Sequence, residues 1–317
     1  MVFEYVDLPS DFSMGYVHRG KKTRISLLKF ESTYPRAEKG TNPAEVYVFS
    51  PRKEKKGSVM LLQGLGSRNV IYLIRMAHYL SKHRIEVFLP ILPGNFTRVA
   101  HGSVSGKDYF SSNLEKMTRF WEHAVVDLLS LIKLLKKQNM WHERNCLFGY
   151  CLGGMIAVLI NALNDDFRKT VLMMSGGDFA TLFWKSPTLS FVRRELRRGK
   201  GREHGMNVEN DFYNVYKRNL EKLKEFSTVQ EMLASDIHPL LKLDPIAYAK
   251  FIDSSKFVLL EAIFDKALPK STRDILWEYL GKPKRIRIPS SHVSWLPFQM
   301  FAARFVIRLI EKQGGKD

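Results

Sequence analysis

The chain has 317 residues, of which 45% are hydrophobic, and its 50 Lys and Arg against 32 Asp and Glu leave a net charge of +18. That length supports one large core with a sizeable insertion. No apolar run approaches the roughly 20 residues of a membrane-spanning helix, and the first residues show neither the basic segment nor the apolar core of a secretory signal.

Residues 15–32 and 45–50, rich in β-branched and aromatic side chains, read as strands of an antiparallel edge. A strand–helix rhythm then begins. It runs through a strand over 57–62, a helix from about Asn69 to Lys82, a strand over 86–90, an amphipathic helix over 118–137, and a short strand leading to Cys151. An apolar helix follows, then a strand over 170–175. Residues 179–253 are helical, polar and basic with no strong strand. The rhythm resumes with a strand at 256–260, a helix over 271–280, a strand over 284–288 and a final helix from about Pro297 to Lys312. Alternation of this kind predicts a parallel sheet covered on both faces. The expected organisation is a core in two parts, 1–178 and 256–317, with a helical cap over 179–255 inserted on the side where such sheets bind ligands.

The segment Gly149-Tyr150-Cys151-Leu152-Gly153-Gly154 is the most informative stretch. It joins an apolar strand to an apolar helix through residues small enough to let the two approach closely. A turn of that shape holds its central residue in a strained conformation, with the side chain presented above the sheet edge. That residue is Cys151. The alternative is that Cys151 is a small buried residue in a glycine-rich turn. Its only fellow cysteine, Cys146, lies on the same strand, so the two cannot pair without folding the strand back. Absence of disulfides fits a cytoplasmic protein.

With these residues in view, the chain resembles the α/β-hydrolase superfamily over essentially its whole length. The elbow is similar to that of dienelactone hydrolases, and its Gly-x-Cys-x-Gly core is shared with polyhydroxyalkanoate synthases. The resemblance implies a triad in the order nucleophile, acid, histidine. After the strand at 256–260, Asp265 stands before Leu268-Pro269 in a pattern similar to the acid loop, where a carboxylate would orient and stabilise a histidine. Asp178, which follows the preceding strand, is a rival acid, or else a cap for the first helix of the insertion. His292 follows the last strand, 27 residues after Asp265, and has the side chain suited to proton exchange near neutrality. The backbone of Leu152, next to Cys151, and that of Leu65, in a Gln63-Gly64-Leu65-Gly66 stretch that resembles His-Gly-x-Gly, are the implied oxyanion donors. Gln63 and Ser291 replace the histidine and glycine common at those places.

A thiolate is both a strong nucleophile and a good leaving group, which favours activated carbonyls such as enol lactones, aryl esters and thioesters. The expected activity is therefore hydrolysis of a small-molecule ester or lactone through an acyl-thioenzyme, with no metal or redox cofactor required. Acyl transfer from a thioester, as the resemblance to polyhydroxyalkanoate synthases implies, is the second reading, and a non-catalytic binding protein on the same fold is the third. Nucleic acid is not the expected partner, because the densest basic block, Arg193-Arg194-Glu195-Leu196-Arg197-Arg198-Gly199-Lys200-Gly201-Arg202, carries no recognition motif. That block either attracts an anionic substrate or is a solvated face. Oligomeric state is left open.

Overall fold

A computed structural model describes residues 3–66, 70–295 and 299–314. Nine strands form one sheet in the order β1-β2-β3-β5-β4-β6-β7-β8-β9. Strands β1 (Phe12–Arg19), β2 (Thr23–Phe30) and β3 (Ala44–Pro51) are antiparallel, and β3 also pairs antiparallel with β5 (Ile85–Ile91). From β5 the sheet continues in parallel through β4 (Gly57–Leu62), β6 (Asn145–Tyr150), β7 (Lys169–Met173), β8 (Phe257–Ala262) and β9 (Lys284–Ile288). The long segment read as an antiparallel edge is thus two strands, and the outer one, β1, is exposed along all eight residues.

Period-two alternation divides the central strands between two cores. Met60, Leu62, Phe88 and Leu147 point to one face, where helices α2 (Leu114–Lys137) and α3 (Leu152–Leu163) cover the sheet. Val59, Leu61, Val87, Cys146, Phe148 and Tyr150 point to the other, under α1 (Ile71–Lys82) and α10 (Gln299–Lys312). Helix α2 begins four residues before the expected start at 118: Leu114 and Met117 are buried, and the Asn113 side chain accepts the Lys116 amide at 2.9 Å and caps the helix. The expected starts of the first and last helices, Asn69 and Pro297, lie outside the described residues.

Between β7 and β8 the chain forms helices α4 (Phe179–Lys185), α5 (Ser190–Arg197), α6 (Glu209–Lys222), α7 (Val229–Ala234) and α8 (Pro245–Tyr248). Phe179 and Phe183 are fully buried and pack edge-on against Phe110, with Phe179 also 5.3 Å from Trp121 of α2. The aromatics of this segment therefore extend the main core. Buried Asp244 ties it together by accepting the Phe179 amide at 2.6 Å, the Ile246 amide at 3.0 Å and the Tyr216 hydroxyl. Helix α9 (Lys270–Tyr279) lies between β8 and β9.

Candidate active site

One residue connects β6 to α3, and it is Cys151, at φ 52° and ψ −113°. A non-glycine residue in that region costs on the order of 1–3 kcal/mol. The surrounding bonds impose it. The Cys151 amide donates to the Met173 carbonyl at 2.9 Å, and the Cys151 carbonyl accepts from Gly154 at 3.0 Å and Met155 at 3.1 Å. A Cβ on Gly149 would fall 2.4 Å from the Gly153 carbonyl oxygen, and one on Gly153 would fall 2.5 Å from that of Leu62. Strand and helix cross too closely for any side chain at these two positions.

Asp265 sits beyond β8 in a loop it organises itself. Its Oδ1 accepts the Ala267 amide at 2.9 Å and the Leu268 amide at 3.0 Å, and its Oδ2 lies 2.8 Å from Nδ1 of His292. Leu268 is buried and Pro269 immediately precedes α9, so the spacing seen in the sequence is that of a carboxylate turn pinned between core and helix. The two loops are also laddered together, Phe264 donating to the Ser290 carbonyl and Ile263 to that of Ile288, both at 3.0 Å. Ser291, in the glycine's place, closes the His292 turn with Ser294, the backbone amide of each donating to the hydroxyl of the other.

The Cys151 side chain, like Asp265, is close enough to the His292 imidazole to stabilise its charged form. Burial disfavours its charged form, yet negative charge at Cys151 and the Asp265 hydrogen bond outweigh this and push the imidazolium pKa up to about 10. With Nδ1 facing the carboxylate, Nε2 is left for the thiol. Asp178 is elsewhere: its carboxylate caps α4, accepting the Thr181 amide at 3.1 Å and hydroxyl at 2.6 Å, and burial raises its pKa. The structure thus brings Cys151, Asp265 and His292 together and leaves Asp178 outside the group.

The loop after β4 crosses directly above the elbow. A Cβ on Gly64 would meet the Tyr150 ring at 2.7 Å and the Cys151 Cβ at 3.3 Å. Leu152 is the first residue of α3, so its amide is one of the unpaired donors of a helix start. Neither it nor the Leu65 amide has an acceptor among the described residues. Behind this loop stands the one after β5, for a Cβ on Gly106 would fall 2.3 Å from the Gly66 nitrogen. Buried Arg98 anchors that second loop, donating to the Thr41 carbonyl at 2.7 Å and the Ile91 carbonyl at 2.6 Å, and pairing with Asp127.

Sequence reasoning missed an aromatic group that holds the histidine. The Tyr150 hydroxyl donates to the His292 carbonyl at 2.8 Å, and burial, then the charge at Cys151, keeps it protonated. Its ring lies 5.1 Å from that of Trp295 and 5.8 Å from that of Tyr72, whose hydroxyl accepts the Gly64 amide at 3.4 Å. The available signal was strand alternation, which turns Tyr150 to the side of α1 and α10.

No protein-family model and no curated protein matches the sequence. Solved structures do match in shape. An acetyl xylan esterase from Paenibacillus sp. R4 superposes with TM-score 0.63 at 15% identity over 94% of this chain and 88% of its own. A cold-adapted esterase from an Arctic intertidal metagenomic library gives 0.55 at 14% identity over 93% and 96%. The α/β hydrolase GrgF from Penicillium sp. sh18 gives 0.57 at 12% identity over 91% and 98%. At such identities the likeness speaks for architecture alone, and the architecture is the α/β-hydrolase fold.

Proposed function

We propose that the protein is an ester hydrolase that works through Cys151, His292 and Asp265. The observation that carries this reading is the Asp265 carboxylate 2.8 Å from His292 Nδ1, on an imidazole whose charged form is stabilised by Cys151 at a strained strand–helix turn. In the proposed cycle the Cys151 sulfur attacks the substrate carbonyl with its proton already held by the His292 imidazolium, and Asp265 holds the ring in place and stabilises that charge. The Leu65 and Leu152 amides receive the developing oxyanion. Collapse of the tetrahedral intermediate expels the alkoxide, protonated by His292, and leaves a thioester on Cys151. Water, deprotonated by His292, then releases the acid and restores the thiol.

Sulfur leaves from the first intermediate more readily than an alkyl alkoxide or amide does. Aryl esters, enol lactones and thioesters are therefore the proposed substrates, as in the dienelactone hydrolases whose elbow this one resembles. The helical segment 179–255 is proposed to act as a cap over the site. A panel of aryl esters, lactones and acyl thioesters assayed on wild type and Cys151→Ala tests the reading. Turnover by wild type with an acyl adduct on Cys151 is expected, and an adduct on any other residue overturns it.

A further inference from the structure

The catalytic residues stand at the carboxyl ends of the parallel strands, and the opposite pole of the sheet carries a second concave surface. A cavity of about 490 Å³ opens between the starts of β8 and β9 and the end of α10, and a second of about 380 Å³ adjoins it, Lys169 and Gln313 lining both. Lys169, Lys282, Lys284 and Lys312 surround the first, and Arg144 and Arg168 with Lys169 the second. Against these six cations the lining supplies, among the described residues, one carboxylate, that of Glu143. Asp253 lies nearby, its carboxylate engaged by the amide and hydroxyl of Ser255.

None of the six cations has a carboxylate partner among the described residues. Their partners are other groups: Lys169 donates to the Ser255 carbonyl at 2.9 Å, and Lys282 lies 5.7 Å from the centre of the Trp277 ring. Lys284, Lys312 and Arg168 are exposed. The chain has carboxylates to spend and pairs many of its lysines elsewhere, as in Lys256 with Asp165 and Lys56 with Glu311. Six unpaired like charges around one groove repel one another, a cost that an anionic occupant removes.

We propose that this groove is a binding site for a linear oligophosphate, separate from the catalytic pole. Lysine ammonium groups are compact, strongly hydrated point charges and match a densely charged anion. An acidic peptide in extended form presents a carboxylate to one face only every second residue, about 7 Å apart, whereas a phosphate chain carries charge at every link. The Ser254 hydroxyl and the second N–H of the Gln313 amide, whose first donates to the Asn145 carbonyl, supply further donors along the wall. Single-stranded nucleic acid binds through stacked bases as well as phosphates, and the lining offers no exposed aromatic ring, Phe257 being buried.

Binding of inorganic oligophosphates of increasing length to the full chain, measured by calorimetry at low salt, tests the site. Affinity is expected to rise with chain length, to fall steeply with salt, and to drop by at least about tenfold in the double variant Lys284→Glu, Lys312→Glu. Reversal of Arg194 of α5 and Arg198 just after it, neither of which lines the groove, is expected to leave it within about twofold. Absence of binding, or an equal loss in the α5 variant, overturns the site. Tighter binding of an oligothymidylate with the same number of phosphates overturns the ligand class in favour of nucleic acid. Ester hydrolysis by the double variant is expected to match wild type, so failure of this site and failure of the proposed activity are read separately.

Discussion

The Tyr150 hydroxyl donates to the His292 carbonyl at 2.8 Å, so the residue preceding the thiol in the chain holds the turn that carries the imidazole. Tyr150 is the last residue of β6 and packs on the α1 and α10 side among Tyr72 and Trp295, directly before the elbow residue.

Loss of that single hydrogen bond is expected to be felt in turnover more than in stability. Tyr150→Phe keeps the ring and its packing and removes about 1 kcal/mol of hydrogen-bond energy. A fall in kcat of roughly five- to tenfold with KM nearly unchanged is expected. Steady-state kinetics beside a thermal melt checks it, and a rise in KM with unchanged kcat would assign Tyr150 to substrate binding instead.

The two cysteines differ in accessibility. Cys146 is fully buried on β6, and burial pushes its thiol pKa up to about 12, whereas Cys151 is partly exposed at the elbow. Iodoacetamide at neutral pH should therefore alkylate Cys151 and spare Cys146 in the folded protein. Cys151→Ala is expected to abolish acyl-enzyme formation, and Cys146→Ala to leave activity within a few-fold. Peptide mapping of the labelled protein decides the first point and a burst-phase assay the second.

Two acids stood as candidates in the sequence, and their contacts separate their expected effects. Asp265→Asn removes the ion partner and the tautomer lock of His292 and is expected to lower kcat by about three to four orders of magnitude. Asp178→Asn disturbs the cap of α4 and is expected to cost about 1 kcal/mol of stability with activity within a few-fold. Kinetics and denaturant melts on both variants check this, and the reverse pattern would move the acid to the preceding strand.

Most of the parallel sheet and the three side chains at its upper edge were legible because they depend on local signals. Glycines at 149 and 153 report a close crossing, and Asp265 with Leu268 and Pro269 reports a turn closed by its own carboxylate. Contacts set by the fold rather than by neighbours in sequence were not legible. Arg98 supports the loop after β4 through a second loop, and Lys169, Lys282, Lys284 and Lys312 reach one groove from three separate strands or turns and a helix. Residues 15–32 read as strand throughout, while the turn that splits them, near Gly20, has weak sequence punctuation, with a single glycine before Lys21-Lys22.

The charge state of His292 gives a titration with a defined sign. Its folded pKa is raised from 6.5 to about 10, so the imidazolium's contribution to stability is fully present below pH 6.5 and is lost as pH rises through about 10. The His292 Cε1 proton resonance in NMR should titrate near pH 10 in wild type. Cys151→Ala and Asp265→Asn each remove one favourable partner and are expected to move that midpoint down towards 6.5. A wild-type midpoint near 6.5 would show that the ring does not feel the charge at Cys151.

The arginines of α5 and the turn after it are not equivalent. Arg193 donates to the Trp184 carbonyl at 2.7 Å and the Ser186 carbonyl at 3.3 Å, so it fastens α4 to α5. Arg194 and Arg198 are exposed and have no carboxylate partner among the described residues. Arg193→Gln is accordingly expected to lower stability by about 1–2 kcal/mol, through carbonyls left without a charged donor. Arg194→Gln with Arg198→Gln is expected to leave stability within about 0.5 kcal/mol. If the exposed pair draws an anionic substrate to the cap, kcat/KM for a carboxylate-bearing aryl ester should fall several-fold in that double variant and with added salt, while kcat/KM for the neutral ester stays constant. Equal salt dependence for the two esters would assign Arg194 and Arg198 to solvated surface, and an unchanged melt for Arg193→Gln would remove its role in joining the two helices.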